Sequence, residues 1–139
     1  MIENSIIQIE SQICEKYNID AIYLFGSSLK PGFLAEDIDL ALLFDERKNI
    51  QDYFNLTALF HIYLLSKYGN GREFDLSILN VAQPLLKYKV MTEGRLIYCK
   101  DINRLAMFEI KARREYGDYS FRSRLYDEAL ISHIQRGGF

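Results

Sequence analysis

The sequence predicts an α+β fold, with short buried strands set among amphipathic helices and a helical tail at the end. Two observations carry this. Apolar runs at residues 21–25, 38–44 and 74–79 have strand length and are bounded by turn residues. Around them, apolar residues recur at three- and four-residue steps, the period of a helix with one buried face.

Each element follows in order. Ile2, Ile6, Ile9, Ile13 and Tyr17 give a helix over residues 2–17, and Asn18 is a suitable stop. The first strand, 21–25, runs into Gly26, and Pro31 and Gly32 punctuate the loop that follows. After the second strand, 38–44, comes a charged turn ending in Asn49, a good N-cap. Ile50, Tyr53, Thr57, Phe60 and Leu64 hold helical spacing up to Ser66, and Gly69-Asn70-Gly71 ends that helix. The third strand, 74–79, contains Asp75. Pro84 suits the first turn of a helix over 85–92, closed by Glu93-Gly94, and 96–98 makes a short edge strand. From Asp101 the pattern is helical to the end, with an expected interruption at residues 117–120.

The chain of 139 residues is expected to form one domain, with a core at 1–100 and a helical tail at 101–139 belonging to it. A net charge of −2 gives no overall attraction to nucleic acid, so direct nucleic-acid binding is not expected. Cys14 and Cys99 are too few for a disulfide framework or a four-ligand zinc site, which fits a reduced, cytoplasmic setting. Residues 1–12 carry Glu3 and Glu10 and no basic leader, so no signal peptide is expected. No window approaches the roughly 20 apolar residues of a membrane-spanning helix, and no membrane partner is expected. Residues 100–139 carry a net charge of +2 and residues 1–99 carry −4, a mild contrast that suggests different partners for the two parts.

One feature runs against the apolar pattern. Asp37 and Asp39 stand where the loop meets the second strand, although Asp is depleted in strands. Residues i and i+2 of a strand face the same side, about 6–7 Å apart. The nearest bases in sequence are Lys30 and Arg47, and two close carboxylates call for a counter-charge. A divalent cation supplies it economically, since magnesium takes carboxylate oxygens together with the phosphates of a substrate. Gly26 permits close backbone approach, Ser27 offers a hydroxyl, and the start of a helical turn there would bind phosphate. Asp75, on the next strand, could complete a two-metal site or accept a proton from an attacking hydroxyl. Each piece has an ordinary structural explanation on its own; the three in this order on successive strands point to chemistry.

The remaining candidates read as structural. His61 fits a core or boundary histidine in an apolar helix, and His133 a surface position. Cys14 fits packing better than reactivity. Tyr116, Tyr119 and Tyr126, among Arg113, Arg114, Arg122 and Arg124, suit either an interface or a solvated helix face.

With Gly26-Ser27, a spacer, Asp37-x-Asp39 and the later Asp75, the sequence resembles the polymerase-β-like nucleotidyltransferase superfamily. More narrowly, it is similar to the minimal nucleotidyltransferase (MNT) antitoxins encoded beside HEPN ribonuclease toxins. The resemblance covers residues 1–100 well and the tail weakly. It implies a palm fold, a small mixed sheet flanked by helices. It implies that Asp37, Asp39 and Asp75 hold Mg²⁺ and that Gly26, Ser27 and Lys30 contact the nucleotide. It also implies AMP transfer from ATP to a hydroxyl, a tyrosine of a HEPN toxin partner. Binding of the toxin without catalysis, or transfer to a small molecule, are the alternatives. Three departures stand out. The spacer from Ser28 to Glu36 is one residue shorter than the family's usual ten, Ser28 and Lys30 occupy places where arginines are common, and Glu36 precedes the first aspartate where a small polar residue is usual.

Overall fold

The computed structural model describes residues 9–26, 37–69 and 71–137. Its elements are α1 (Ser11–Lys16), β1 (Ile19–Phe25), β2 (Asp37–Phe44), α2 (Ile50–Tyr68), β3 (Glu73–Ile78), a 3₁₀ turn (Leu79–Val81), α3 (Pro84–Glu93), β4 (Arg95–Cys99) and α4 (Ile102–Gln135). The expected first helix over 2–17 is seen from Ser11 onward, and residues 1–8 lie outside the described residues.

Local chemistry sets several boundaries. Asn18 closes the first helix in the left-handed region, at φ 58°, where Asn is tolerated better than most residues. Asn49 and Asp52 form a capping box: the Asp52 N–H donates to Asn49 Oδ1 at 2.9 Å, and the Asn49 N–H donates to Asp52 Oδ2 at 3.3 Å. Pro84 occupies the first turn of α3, where no N–H is needed. Asp101 caps α4 by accepting from the N–H groups of Asn103 and Arg104.

The sheet has the order β3-β2-β1-β4. β1 pairs antiparallel with both β2 and β4, while β2 and β3 are parallel. A parallel pair needs a crossover connection, and α2 supplies it. Both faces of the sheet are covered. Ile22, Leu24, Leu40, Leu42 and Phe44 meet Cys14, Tyr53, Phe60 and Leu64 from α1 and α2. On the other face Ala21, Tyr23, Ala41 and Leu43 meet Leu79, Val90 and Leu105 from the 3₁₀ turn, α3 and α4. Each Leu, Ile, Val or Phe among them contributes about 1.5–3 kcal/mol when fully removed from water. Asn80 fastens the end of β2: its Oδ1 accepts from the Phe44 N–H at 2.8 Å, and its Nδ2 donates to the Phe44 carbonyl at 2.9 Å.

The first half of α4 is tied to the body. Arg104 pairs with Asp20 at 2.5 Å, and the Tyr23 hydroxyl donates to Glu109. The largely buried Lys87 reaches Glu115 at 3.2 Å and lies over the Phe108 ring. Tyr88 stacks on Tyr116 with ring centroids 4.0 Å apart. Tyr116 therefore has a partner within the chain. The expected interruption at 117–120 is corrected: α4 runs through Gly117 unbroken. An interior glycine costs a helix only about 1 kcal/mol, and neighbouring turns on both sides outweigh that.

Candidate active site

The site is built at one end of the sheet. β1 leaves it through Phe25 and Gly26, and β2 enters it through Asp37. In the antiparallel pair Asp39 stands opposite Phe25, and in the parallel pair it stands beside Asp75. Alternation along β2 puts Asp37 and Asp39 on the face of Ala41 and Leu43. The same alternation puts Glu73 and Asp75 on that face of β3. Two in-register carboxylate pairs result, Asp37 with Glu73 and Asp39 with Asp75. Glu73 is a carboxylate that the register brings to this end of the sheet and that sequence reasoning did not anticipate.

Gly26 lies against Asp39 from the β1 side. Its φ is +77°, a conformation that L side chains rarely adopt, and a Cβ there would collide with Asp39 Oδ2. Glycine is thus required twice, by the turn and by the carboxylate packed against it.

The electrostatics are those of uncompensated negative charge. The Asp39 carboxyl is held above the usual range, first by burial, then by the charges of Asp75 and Asp37 and by a hydrogen bond with Asp75. Among the described residues no Lys or Arg forms an ion pair with any of these four carboxylates. Such a donor set, hard oxygens with surplus negative charge, fits a divalent cation such as Mg²⁺. Among the described residues no three His, Cys, Asp or Glu side chains close into a cage around an ion. Partial coordination of this kind is what Mg²⁺ accepts when substrate phosphates supply the remaining oxygens. Ser27 and Lys30 lie outside the described residues.

The other candidates are not among the carboxylates paired here. Cys14 is fully buried among apolar neighbours, and burial pushes its thiol up to about 12. Such a thiol is inert at neutral pH. His61 is half-buried on α2, and His133 is exposed on α4. Among the described residues no helix is long and apolar enough to cross a membrane.

Several solved structures share this architecture. A chain of a toxin–antitoxin complex crystallised with AMP-PNP is 22% identical over 94% of this chain and 99% of its own, with a TM-score of 0.63. A chain of the complex between the tri-AMPylated Shewanella oneidensis HEPN toxin and its MNT antitoxin is 23% identical over 92% of this chain and 95% of its own, at a TM-score of 0.60. A chain of the MntA–HepT toxin–antitoxin complex is 22% identical over 92% of this chain and 96% of its own, at 0.59. At these identities the likeness is one of fold. No curated protein sequence matches the chain. The family described as polymerase beta, nucleotidyltransferase, matches residues 8–103, which spans the whole sheet and the four carboxylates. Together with the mixed sheet and the carboxylates gathered at one end of it, that match identifies the chain as a member of the polymerase-β nucleotidyltransferase family.

Proposed function

We propose that this protein is an antitoxin that transfers AMP from ATP to a hydroxyl, a tyrosine side chain, on a HEPN ribonuclease toxin, and so silences it. The observation that carries the reading is the in-register Asp39–Asp75 pair, flanked by Asp37 and packed against Gly26. The HEPN toxin, its AMPylation and AMP-PNP all occur in complexes of similarly folded chains, which supports the choice of acceptor and nucleotide.

Each residue then has a task. Asp37 and Asp39 hold Mg²⁺, with Asp75 as the third carboxylate. When bound, Mg²⁺ neutralises the triphosphate and polarises the α-phosphate. Gly26 leaves the backbone bare where the phosphates pass. Ser27 and Lys30, from the loop between β1 and β2, contact the phosphates, and a lysine there makes charge-assisted hydrogen bonds. The acceptor oxygen attacks the α-phosphorus, the bond to the β-phosphate oxygen breaks, and pyrophosphate leaves. Asp75 takes the proton from the hydroxyl. A reaction that draws on ATP and Mg²⁺ supports a cytoplasmic setting.

Radiolabelled ATP, Mg²⁺ and the protein encoded beside this chain's gene make the test. Label should pass to that protein, and Asp39→Asn should stop the transfer. If toxicity is still neutralised by Asp37→Ala without any label transfer, binding alone accounts for the function. Transfer to a small molecule but not to the protein would instead favour the metabolite-modifying alternative.

A further inference from the structure

The α2 helix is apolar on two opposite sides. Its inner side, with Tyr53, Phe60 and Leu64, packs on the sheet. Its outer side carries Phe54, Ala58, Ile62 and Leu65 at steps of three and four residues, so they lie along one stripe. Ile62 is 65% exposed and Phe54 is 54% exposed, and Ile50 and Leu59 flank the stripe, each more than half exposed. From residue 53 to residue 66 the helix holds no Asp, Glu, Lys or Arg. A solvated helix normally shows a polar outer face, and one that is apolar on both sides is covered on both. Loss of charge at the centre of a patch is the compositional mark of an interface.

The stripe is symmetric about Ala58. Gln51 and Phe54 precede it by seven and four residues, and Ile62 and Leu65 follow it by four and seven. A contact between identical faces related by a two-fold axis pairs each position with its mirror position. Two α2 helices laid antiparallel with Ala58 on the axis set Phe54 of each beside Ile62 of the other, and Gln51 beside Leu65. The small side chain then stands at the crossing point, where the helices come nearest. The absence of charge counts twice here, because close to a two-fold axis every charge meets its own copy. Charges stand only at the ends, Asp52 in the first turn and Lys67 in the last. The antiparallel arrangement brings the acidic end of one helix beside the basic end of the other, with their dipoles opposed.

We propose that the outer side of α2 is a two-fold contact between two copies of this chain, centred on Ala58. The proposal stands apart from the antitoxin reading. The position of α2 favours a second copy over an acceptor. Asp37 and Asp39 share the opposite sheet face with Ala41 and Leu43. An acceptor seated on α2 would lie across the sheet from them, whereas a second copy there leaves both sets of carboxylates uncovered. The exposed apolar area of this side is on the order of 400 Å², more than a scatter of single residues gives. Lasting complexes bury about 800 Å² per partner and transient ones less than about 600 Å². The contact is therefore reversible, with a dissociation constant of about 10–100 μM.

Sedimentation velocity of the full chain, at concentrations spanning that dissociation constant, should show a monomer passing into a dimer. Ile62→Glu places two like charges near the axis and should weaken the dimer by about tenfold or more, with helical circular dichroism unchanged. Tyr126→Glu, at a comparably exposed position on α4, should leave the dimer intact. Ala58→Cys gives a second reading. At a helix separation of about 8–10 Å the two facing Cα atoms lie roughly 5 Å apart, within disulfide reach. Mild oxidation should therefore cross-link Ala58→Cys into a covalent dimer, whereas Lys111→Cys should stay uncross-linked. A chain that remains monomeric throughout overturns the proposal. So does a dimer that Ile62→Glu leaves unchanged, or one that Ala58→Cys does not cross-link. A loss in Ile62→Glu confined to binding of a different protein gives this side of α2 to that protein and overturns the proposal as well.

Discussion

Asp75 stands in register beside Asp39 across the parallel β2–β3 pair, and its charge adds to burial in holding the Asp39 carboxyl above the usual range. Two acids so placed repel when both are ionised, and burial of Asp39 adds to the cost. The native fold therefore holds the Asp39 carboxyl above its unfolded value. An acid raised in this way opposes folding at pH values above its folded-state pKa, and the penalty is relieved as pH falls toward the unfolded value near 4. Asp39→Asn should accordingly raise the melting temperature at pH 7 without Mg²⁺, by about 2–4 °C. The same variant should lose nucleotidyl transfer. A melting temperature at or below that of the unaltered chain would show that the pair carries no strain.

Gly26 is the next point of leverage. Its positive φ and its contact with Asp39 leave no room for a methyl group. Gly26→Ala should cost about 1 kcal/mol or more of stability from the backbone alone. It should also displace Asp39, so calorimetric titration with Mg-ATP should show at least about tenfold weaker binding. Tight binding in a folded Gly26→Ala protein would mean that the Gly26–Asp39 contact does not shape the nucleotide site.

Lys30 offers a comparison within one loop system. As the base between Ser27 and Asp37, it should matter to the triphosphate, whereas Lys48 belongs to the turn after β2. Lys30→Ala should weaken ATP binding by roughly 1.5–3 kcal/mol, the range for a hydrogen bond to a charged group. Lys48→Ala should change it little. Equal behaviour of the two variants assigns Lys30 to solvent.

Much of this architecture is legible in the sequence. The strands announce themselves because apolar runs bounded by turns have few other uses, and Asp37-x-Asp39 is conspicuous against them. Glu73 is not visible in the same way. A single glutamate at the start of a strand is ordinary, and its pairing with Asp37 depends on a register set across the whole of α2. Asn80 is hidden for the same reason, since an asparagine after a strand reads as a turn. Its two hydrogen bonds to Phe44 exist only once β2 and β3 are aligned. The unbroken course of α4 through Gly117 is obscured by a glycine that looks like a stop, although Ala112, Tyr116 and Tyr119 carry the helical spacing across it.

Asn80 also carries a stability prediction. Its amide satisfies both backbone groups of Phe44, at the buried end of β2. Asn80→Ala should destabilise the fold by about 2–3 kcal/mol, because a buried donor and acceptor lose their partners together. Chemical denaturation should show the loss as a lower midpoint with an unchanged slope.

Gly117 gives a prediction of opposite sign. A Cβ at this position meets no atom within 4 Å, and the helix passes through it. Gly117→Ala should stabilise the protein by about 0.5–1 kcal/mol. Thermal melting should rise while toxin binding and transfer are preserved. A loss of either activity at unchanged or higher stability would reveal a hinge.

Because α4 is one continuous helix, it behaves as a ruler with a phase. Every residue advances the surface by about 1.5 Å and turns it by about 100°. One alanine inserted after Gly117 would leave each side chain beyond it chemically intact yet swing them about a quarter-turn around the axis of α4. A seven-residue insertion would return the original azimuth to within about 20°, but roughly 10 Å farther out. Distance and orientation between the exposed half of α4 and its packed half are thus written as a residue count, which insertion or deletion can adjust without altering the sheet.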